Sequence, residues 1–248
     1  MKIGIITAMP EETQAIIRAL KQTQKMRMGG LAVQQAHVGE HELVVVEAGM
    51  GFANATTAAR QLISELRPDL VVSTGFCGGI SAELRVGDIV VATALTIVSE
   101  NGLKDVPVTI AAVSRNFVSL QADEGHRVFA GLFASTTTIM QKSRLAALLP
   151  PDAPISVVEM ESAAIALVAG ESGIPFVGFR TVSDPFGEEL SFSLDEFCDD
   201  RMRIRIPKVL FTIARRPRII PQLIRLARNS RVAAASLSQT VERFLAVT

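Results

Sequence analysis

The chain has 248 residues, 48% of them hydrophobic, and a positive mean hydropathy, enough to bury a sizeable core within one α/β domain. Lys plus Arg equals Asp plus Glu at 25 each, so no global charge draws the chain toward nucleic acid. Two cysteines, Cys77 and Cys198, without CxxC spacing, and three scattered histidines exclude a disulfide framework and offer no metal-ligand pattern, so no metal or organic cofactor is expected.

In chain order, Lys2 to Ala8 reads as a buried strand, because its apolar residues run on rather than alternate. Pro10 suits the first turn of a helix to about Gln22. Leu43 to Glu47 is a second buried strand, followed by the Gly49-Met50-Gly51 turn and a helix from about Ala53 to Leu66. Asp69 to Ser73 makes the next strand, ending in a turn at Gly75 to Gly79, and Gly87-Asp88 opens a long strand through about Val98. Mixed signals from Ser99 to Arg127 predict loops with short elements. Strands follow at Val128 to Ala134 and Ile155 to Val158, then a helix from Met160 to Glu171 ended by Gly173, and a strand from Pro175 to Val182. Ser193 to Glu196 matches a capping box that starts a further helix. The alternation predicts a three-layer αβα fold around a central mixed, largely parallel sheet. The chain is read as a single domain over 1–248, with a core over 1–199 and a basic helical extension over 200–248. The short N-terminal apolar run, broken at Pro10, is no secretion signal, no run reaches spanning length, and a reducing cytoplasm is the expected location.

Five breaks carry Gly or acid at a strand's end: Ala8 to Glu12, Ala48 to Gly51, Gly75 to Gly79, Val158 to Glu161 and Val182 to Asp184. In an open α/β sheet the carboxyl ends of the strands form the ligand crevice, so these sites are expected to converge. Met1 to Glu12, Gly49 to Gly51, Ser73 to Gly79, Val86 to Val91, Val158 to Glu161 and Val182 to Asp184, in that order, resemble the purine nucleoside phosphorylase and 5'-methylthioadenosine/S-adenosylhomocysteine nucleosidase superfamily, most closely its nucleosidase branch.

That resemblance implies cleavage of the N-ribosidic bond of a 5'-modified adenosine. It implies that Asp184 protonates or hydrogen-bonds purine N7, that Glu161 binds the ribose hydroxyls over Met160, and that Glu12 activates the attacking water. It also implies that Gly78 lines the purine side, that Ile139 and Met140 flank the base and hydrogen-bond it through main chain, and that Gly49 and Phe76, in glycine turns that let backbone approach a ligand, belong to the substrate-binding set. A homodimer with a small-molecule nucleoside substrate is implied likewise. Read alone, Asp184-Pro185 is an ordinary turn element and Glu11-Glu12 an acidic first helical turn; the ordered set tips Asp184 and Glu12 toward chemistry.

Phe76 stands where the family usually carries a Ser that helps hold phosphate or water. Arginines for a phosphate clamp have no counterpart in pattern, Arg60 and Arg85 being out of place, so hydrolysis is favoured over phosphorolysis. The rivals are a phosphate-dependent phosphorylase, including the hopanoid-associated type acting on a lipid-linked adenosine, and a catalytically silent nucleoside-binding protein.

Residues 201–231 hold ten basic side chains and no acid. Pro207, Pro217 and Pro221 predict two short amphipathic helices there, about Lys208 to Arg216 and about Pro221 to Arg231. A helical cap or dimer contact is favoured for them over a peripheral contact with anionic lipid.

Overall fold

The computed structural model describes residues 1–28, 30–123, 127–188, 194–197 and 205–248. Strand β1 (Lys2–Thr7) is buried after its first residue and leads through Met9 into α1 (Pro10–Leu20). A hairpin of β2 (Gln24–Met28) and β3 (Leu31–Val38) precedes β4 (His41–Glu47), α2 (Phe52–Leu66) and β5 (Leu70–Gly79). Then come β6 (Ile89–Ser99), β7 (Gly102–Asp105), α3 (Ala112–Asp123), β8 (Val128–Thr136), α4 (Lys142–Leu148) and β9 (Ser156–Glu159). The chain continues with α5 (Ser162–Glu171), β10 (Phe176–Asp184), a 3-10 turn at Leu194–Phe197, α6 (Ile206–Arg215), a second 3-10 turn at Pro217–Ile219, and α7 (Ile220–Val247).

All ten described strands belong to one mixed sheet. Strand β1 runs parallel to β4 and β5, and β5 parallel to β10. The far side curls: β10 pairs antiparallel with β6, β6 and β9 flank β8 in parallel, and β9 returns antiparallel to β5, closing a ring β5-β10-β6-β8-β9. Alternate residues face opposite layers. Val44 and Val46 join the core under α2 and α5, while Leu43 and Val45 join the core under α1, α3 and α7. This is the expected αβα arrangement, with one half of its sheet closed on itself.

The structure departs from the sequence reading in definite places. Gly75 to Gly79 is strand, not turn, because β10 and β9 hydrogen-bond along that stretch of β5. Segment 99–127 contains β7 and α3, the latter anchored by Phe117, which is 1% exposed and meets Phe244 edge-on at 5.7 Å. The C-terminal helices are longer than predicted. Pro221 falls in the first turn of α7, where a proline is tolerated, and Ala233, Leu237, Val241 and Phe244 extend the apolar stripe well past Arg231 into the main core. The predicted helix start at Ser193, the border at 199/200, Cys198, Arg201 and Arg203 lie outside the described residues; Leu194–Phe197 is a 3-10 turn.

Candidate active site

Because β1, β4, β5 and β10 are mutually parallel, their carboxyl ends share one edge, and four of the five predicted breaks lie along it; the fifth, at the end of β9, is brought there by antiparallel pairing with Gly78 and Gly79 of β5. Glu12 follows β1, Gly51 follows β4, Gly75 to Gly79 close β5, Glu159 ends β9 with Glu161 just beyond it, and Asp184 ends β10.

Glu12 is 1% exposed. Sitting third in α1, its carboxylate reaches back: Oε2 accepts the backbone N–H groups of Ala8 at 2.8 Å and Met9 at 2.9 Å, satisfying donors that a helix start leaves free. Oε1 accepts the N–H of Phe76 at 2.7 Å, which ties α1 to β5. Burial pushes the Glu12 pKa up, with Arg180 and the three backbone donors opposing it. Gly75 is needed here for space. A Cβ at that position would overlap the Glu12 carboxylate and come within 2.8 Å of Arg180 Nη1.

Arg180, 1% exposed, lies at the centre of a buried acidic cluster. Its Nη2 donates to Glu159 Oε2 at 2.7 Å and Glu161 Oε2 at 3.3 Å, and its Nη1 donates to the carbonyl of Phe76 at 3.4 Å. Glu159 also accepts the N–H groups of Glu161 at 2.9 Å and Ser162 at 2.7 Å, and the hydroxyl of Ser135, thereby capping α5. Glu161 Oε1 accepts the N–H of Gly51 at 2.7 Å. Burial pushes the Glu161 pKa up to about 7, against the pull of Arg180 and with the help of Glu159. Burial opposes the charge on Arg180, yet Glu159, Glu161 and Glu12 together raise its pKa.

Asp184 sits farther along β10, opposite Gly78. Its Oδ2 meets Lys142 Nζ at 2.6 Å and its Oδ1 accepts the Ser183 hydroxyl at 2.9 Å. Lys142 also donates to the carbonyls of Asp184 at 3.1 Å and Pro185 at 2.7 Å, which uses all three ammonium donors. The Asp184 side chain is still 31% exposed. Burial raises its pKa, with the Lys142 charge opposing. Cys77 links the two groups: burial pushes its thiol well up, and it feels the charges of Arg180, Asp184, Glu159 and Lys142 together.

Glu12 and Glu161 therefore meet around Arg180, and Asp184 adjoins them along the β5–β10 pair. Gly78 leaves space for Asp184; a Cβ there would come within 3.1 Å of Oδ2. Ile139 and Met140 are half-buried in the loop entering α4, next to Lys142 and so on the Asp184 side. Met160 is half-buried between Glu159 and Glu161. Two predicted residues act differently from expectation. Phe76 contributes its main chain to Glu12 and Arg180 while its side chain packs in the core. At the Gly49 turn, Gly51 is the residue that touches Glu161.

Sequence reasoning missed Arg180, Glu159 and Lys142. Arg180 was detectable as the lone charge in the apolar run Phe176 to Val182, since a charge buried in a strand demands a partner. Glu159 lay within a motif read only for its second acid. Lys142, at a helix start, gave no signal.

Buried carboxylates with raised pKa values beside a fixed cation suit proton transfer and hydroxyl binding at a polar ligand. A model of the phosphorylase superfamily matches residues 2–215. The 5'-methylthioadenosine/S-adenosylhomocysteine nucleosidase of Actinobacillus succinogenes is 31% identical over 216 residues, covering 79% of this chain and 91% of that protein. Among solved structures, the nucleosidase of that name from Helicobacter pylori, complexed with a pyrrolopyrimidinyl pyrrolidinol, superposes with a TM-score of 0.76 at 18% identity, covering 99% and 98% of the two chains. Futalosine hydrolase of the same organism gives a TM-score of 0.76 at 17% identity, covering 99% and 97%. At these identities the two structures speak for the fold alone.

Proposed function

The chain belongs to the phosphorylase superfamily, and on that footing we propose that it is a purine nucleosidase hydrolysing the N-ribosidic bond of a 5'-modified adenosine of the methylthioadenosine or adenosylhomocysteine kind. The observation that carries the reading is Glu12: a carboxylate 1% exposed, fixed by three backbone donors and facing Arg180. A base so held, its pKa raised by burial, suits orienting and deprotonating a water near neutral pH.

In this reading Glu161 accepts from the ribose hydroxyls, with Met160 against the sugar. Asp184 supplies a proton or hydrogen bond to purine N7, and burial improves it as an acid. The water oxygen bonds to C1' as the C1'–N9 bond breaks. The bond pair leaves on the base, N7 takes the proton of Asp184, and Glu12 takes the proton of the water. Adenine and a 5-substituted ribose are the products.

Hydrolysis is supported by how the cations are used. Arg180 is committed to Glu159 and Glu161, and Lys142 to Asp184. Arg60 faces Glu171 on the exposed side of α2, and Arg85 is exposed. Phe76 brings no hydroxyl to the end of β5. The reading includes a homodimer, checked by sedimentation, in a reducing cytoplasm.

Adenine release from a panel of 5'-substituted adenosines, each with and without phosphate, tests the proposal. Release independent of phosphate is expected. Strict phosphate dependence replaces the hydrolase with a phosphorylase, and adenine binding without release from any substrate leaves a silent nucleoside-binding protein.

A further inference from the structure

Helix α6 has no buried residue. Val209 and Ile213 pack with Leu223 against Phe197 and Ile219 in a small satellite cluster. That cluster leaves Ile206 71% exposed, Leu210 60% and Phe211 58%. Ile206 and Leu210, four residues apart, share a face. At the start of α7, Ile224 is 64% exposed. Large apolar side chains clustered in this way on a charged surface mark an interaction site rather than ordinary scatter.

The element's own charges are all basic. From 205 to 231 every charged residue is Arg or Lys. Arg216 and Arg225 are engaged by Glu196 and Glu188, while Arg218, Arg228 and Arg231 are exposed. The Arg215 guanidinium lies over the Phe211 ring, 4.3 Å from its centroid, which keeps a cation beside an exposed aromatic. No described helix is long and apolar enough to cross a membrane. A short apolar face fringed by cations instead suits lying in the plane of an interface.

We propose that α6 and the first turns of α7 form an interfacial element that docks the protein on an anionic lipid surface. Ile206, Leu210, Phe211 and Ile224 would enter the headgroup region and the arginines meet lipid phosphates. A second copy of the chain fits worse: in a two-fold contact the patch meets itself, and the surplus cations of α6 and α7 would oppose one another, Glu188 and Glu196 being already engaged by Arg225 and Arg216. The element also connects to the site. Glu188, four residues beyond Asp184, binds Arg225 at 3.2 Å and Asn229 at 3.1 Å, so the segment leaving Asp184 is tied to the docking helix. Docking therefore holds the Asp184 side of the site near the lipid.

Cosedimentation with phosphatidylcholine vesicles, with and without phosphatidylglycerol, tests this at low and high salt. Wild type is expected to partition at least about tenfold better onto the anionic vesicles at low salt, as several surface-near cations should give, and to lose that gain at high salt. The double variant Leu210→Glu, Phe211→Glu replaces exposed residues only, so it should melt like wild type and stay in the supernatant. Wild type remaining in the supernatant at low salt overturns the proposal. So does a double variant that pellets like wild type, because arginines alone then hold a polyanion. A wild type that ignores vesicles but dissociates into monomers on the double substitution assigns the patch to a second copy.

Discussion

Arg180 and Asp184 lie four residues apart on β10. Arg180 meets Glu159 and Glu161 in an interior where all three side chains are 1–8% exposed, whereas Asp184 meets Lys142 with 31% of its side chain open to solvent. The inner carboxylates accept from Ser135 of β8, Arg180 of β10, Gly51 in the turn after β4 and the first N–H groups of α5, so the cluster ties those segments together. The outer pair keeps one carboxylate edge accessible. Cations thus do two jobs on one strand: the inner one makes buried charge tolerable, and the outer one holds an acid without sealing it off.

The sharpest break of this comparison is Arg180→Met. It leaves Glu159 and Glu161 buried without their cation, and losing one partner of a buried pair costs about 3–5 kcal/mol. Urea denaturation measures the loss; a cost under about 1 kcal/mol shows that the carboxylates carry no charge in the folded protein. The opposite profile is expected of Asp184→Asn, which keeps the shape of a partly exposed group. Its turnover of a cleaved 5'-substituted adenosine should fall roughly 10²–10⁴-fold, the range for a positioned acid, while its denaturation midpoint stays close to that of wild type. Unchanged turnover removes Asp184 from the chemistry.

The two clusters were unequally legible in the sequence. Glu12, Glu161 and Asp184 stand out because each sits at the end of a strand whose apolar run is easily read; the parallel pairing of β1, β5 and β10 brings Glu12 and Asp184 to one edge, and the antiparallel pairing of β9 with β5 adds Glu161. Their partners were hidden. The Arg180 side chain is placed by the register of β10 between β5 and β6, a long-range fact that no local pattern encodes. Lys142 reaches Asp184 only because β8 and β10 both flank β6, a closure that the alternation of strands and helices does not reveal. The hairpin β2–β3 escaped notice for another reason: β2 is exposed at most positions, so it carries no burial pattern. In α7 the prolines were weighed as breaks, although the one at Pro221 opens the helix rather than ending it.

A smaller effect separates the clusters by pH. Glu161 has its pKa pushed from 4.5 to about 7 by burial, so the folded chain binds its proton more tightly than the unfolded chain does. The stabilisation linked to that proton is complete below pH 4.5 and is lost as pH rises through about 7. Between those limits wild type should lose stability relative to Glu161→Gln by up to about 1.4 kcal/mol per pH unit. Melting curves of the two proteins at matched pH give the difference. A difference flat with pH means that Arg180 keeps Glu161 ionised throughout.

The finest test concerns Lys142. The charged groups that act on Asp184 are the Lys142 ammonium, which lowers its pKa, and Glu188, which raises it, with the Ser183 hydroxyl also lowering it and burial outweighing both downward influences. An acid that must carry a proton works below its pKa and fails above it, so the basic limb of kcat/KM follows Asp184. Lys142→Met removes the main downward influence, and the limb should move to higher pH, whereas Lys142→Arg, which keeps the charge, should leave it nearly in place. The substitution also frees the carbonyls of Asp184 and Pro185, an effect expected to weaken binding at all pH values alike and so to scale the profile without shifting it. A limb that stays put in Lys142→Met, or moves to lower pH, breaks the assignment of Asp184 as the acid even if the rate falls.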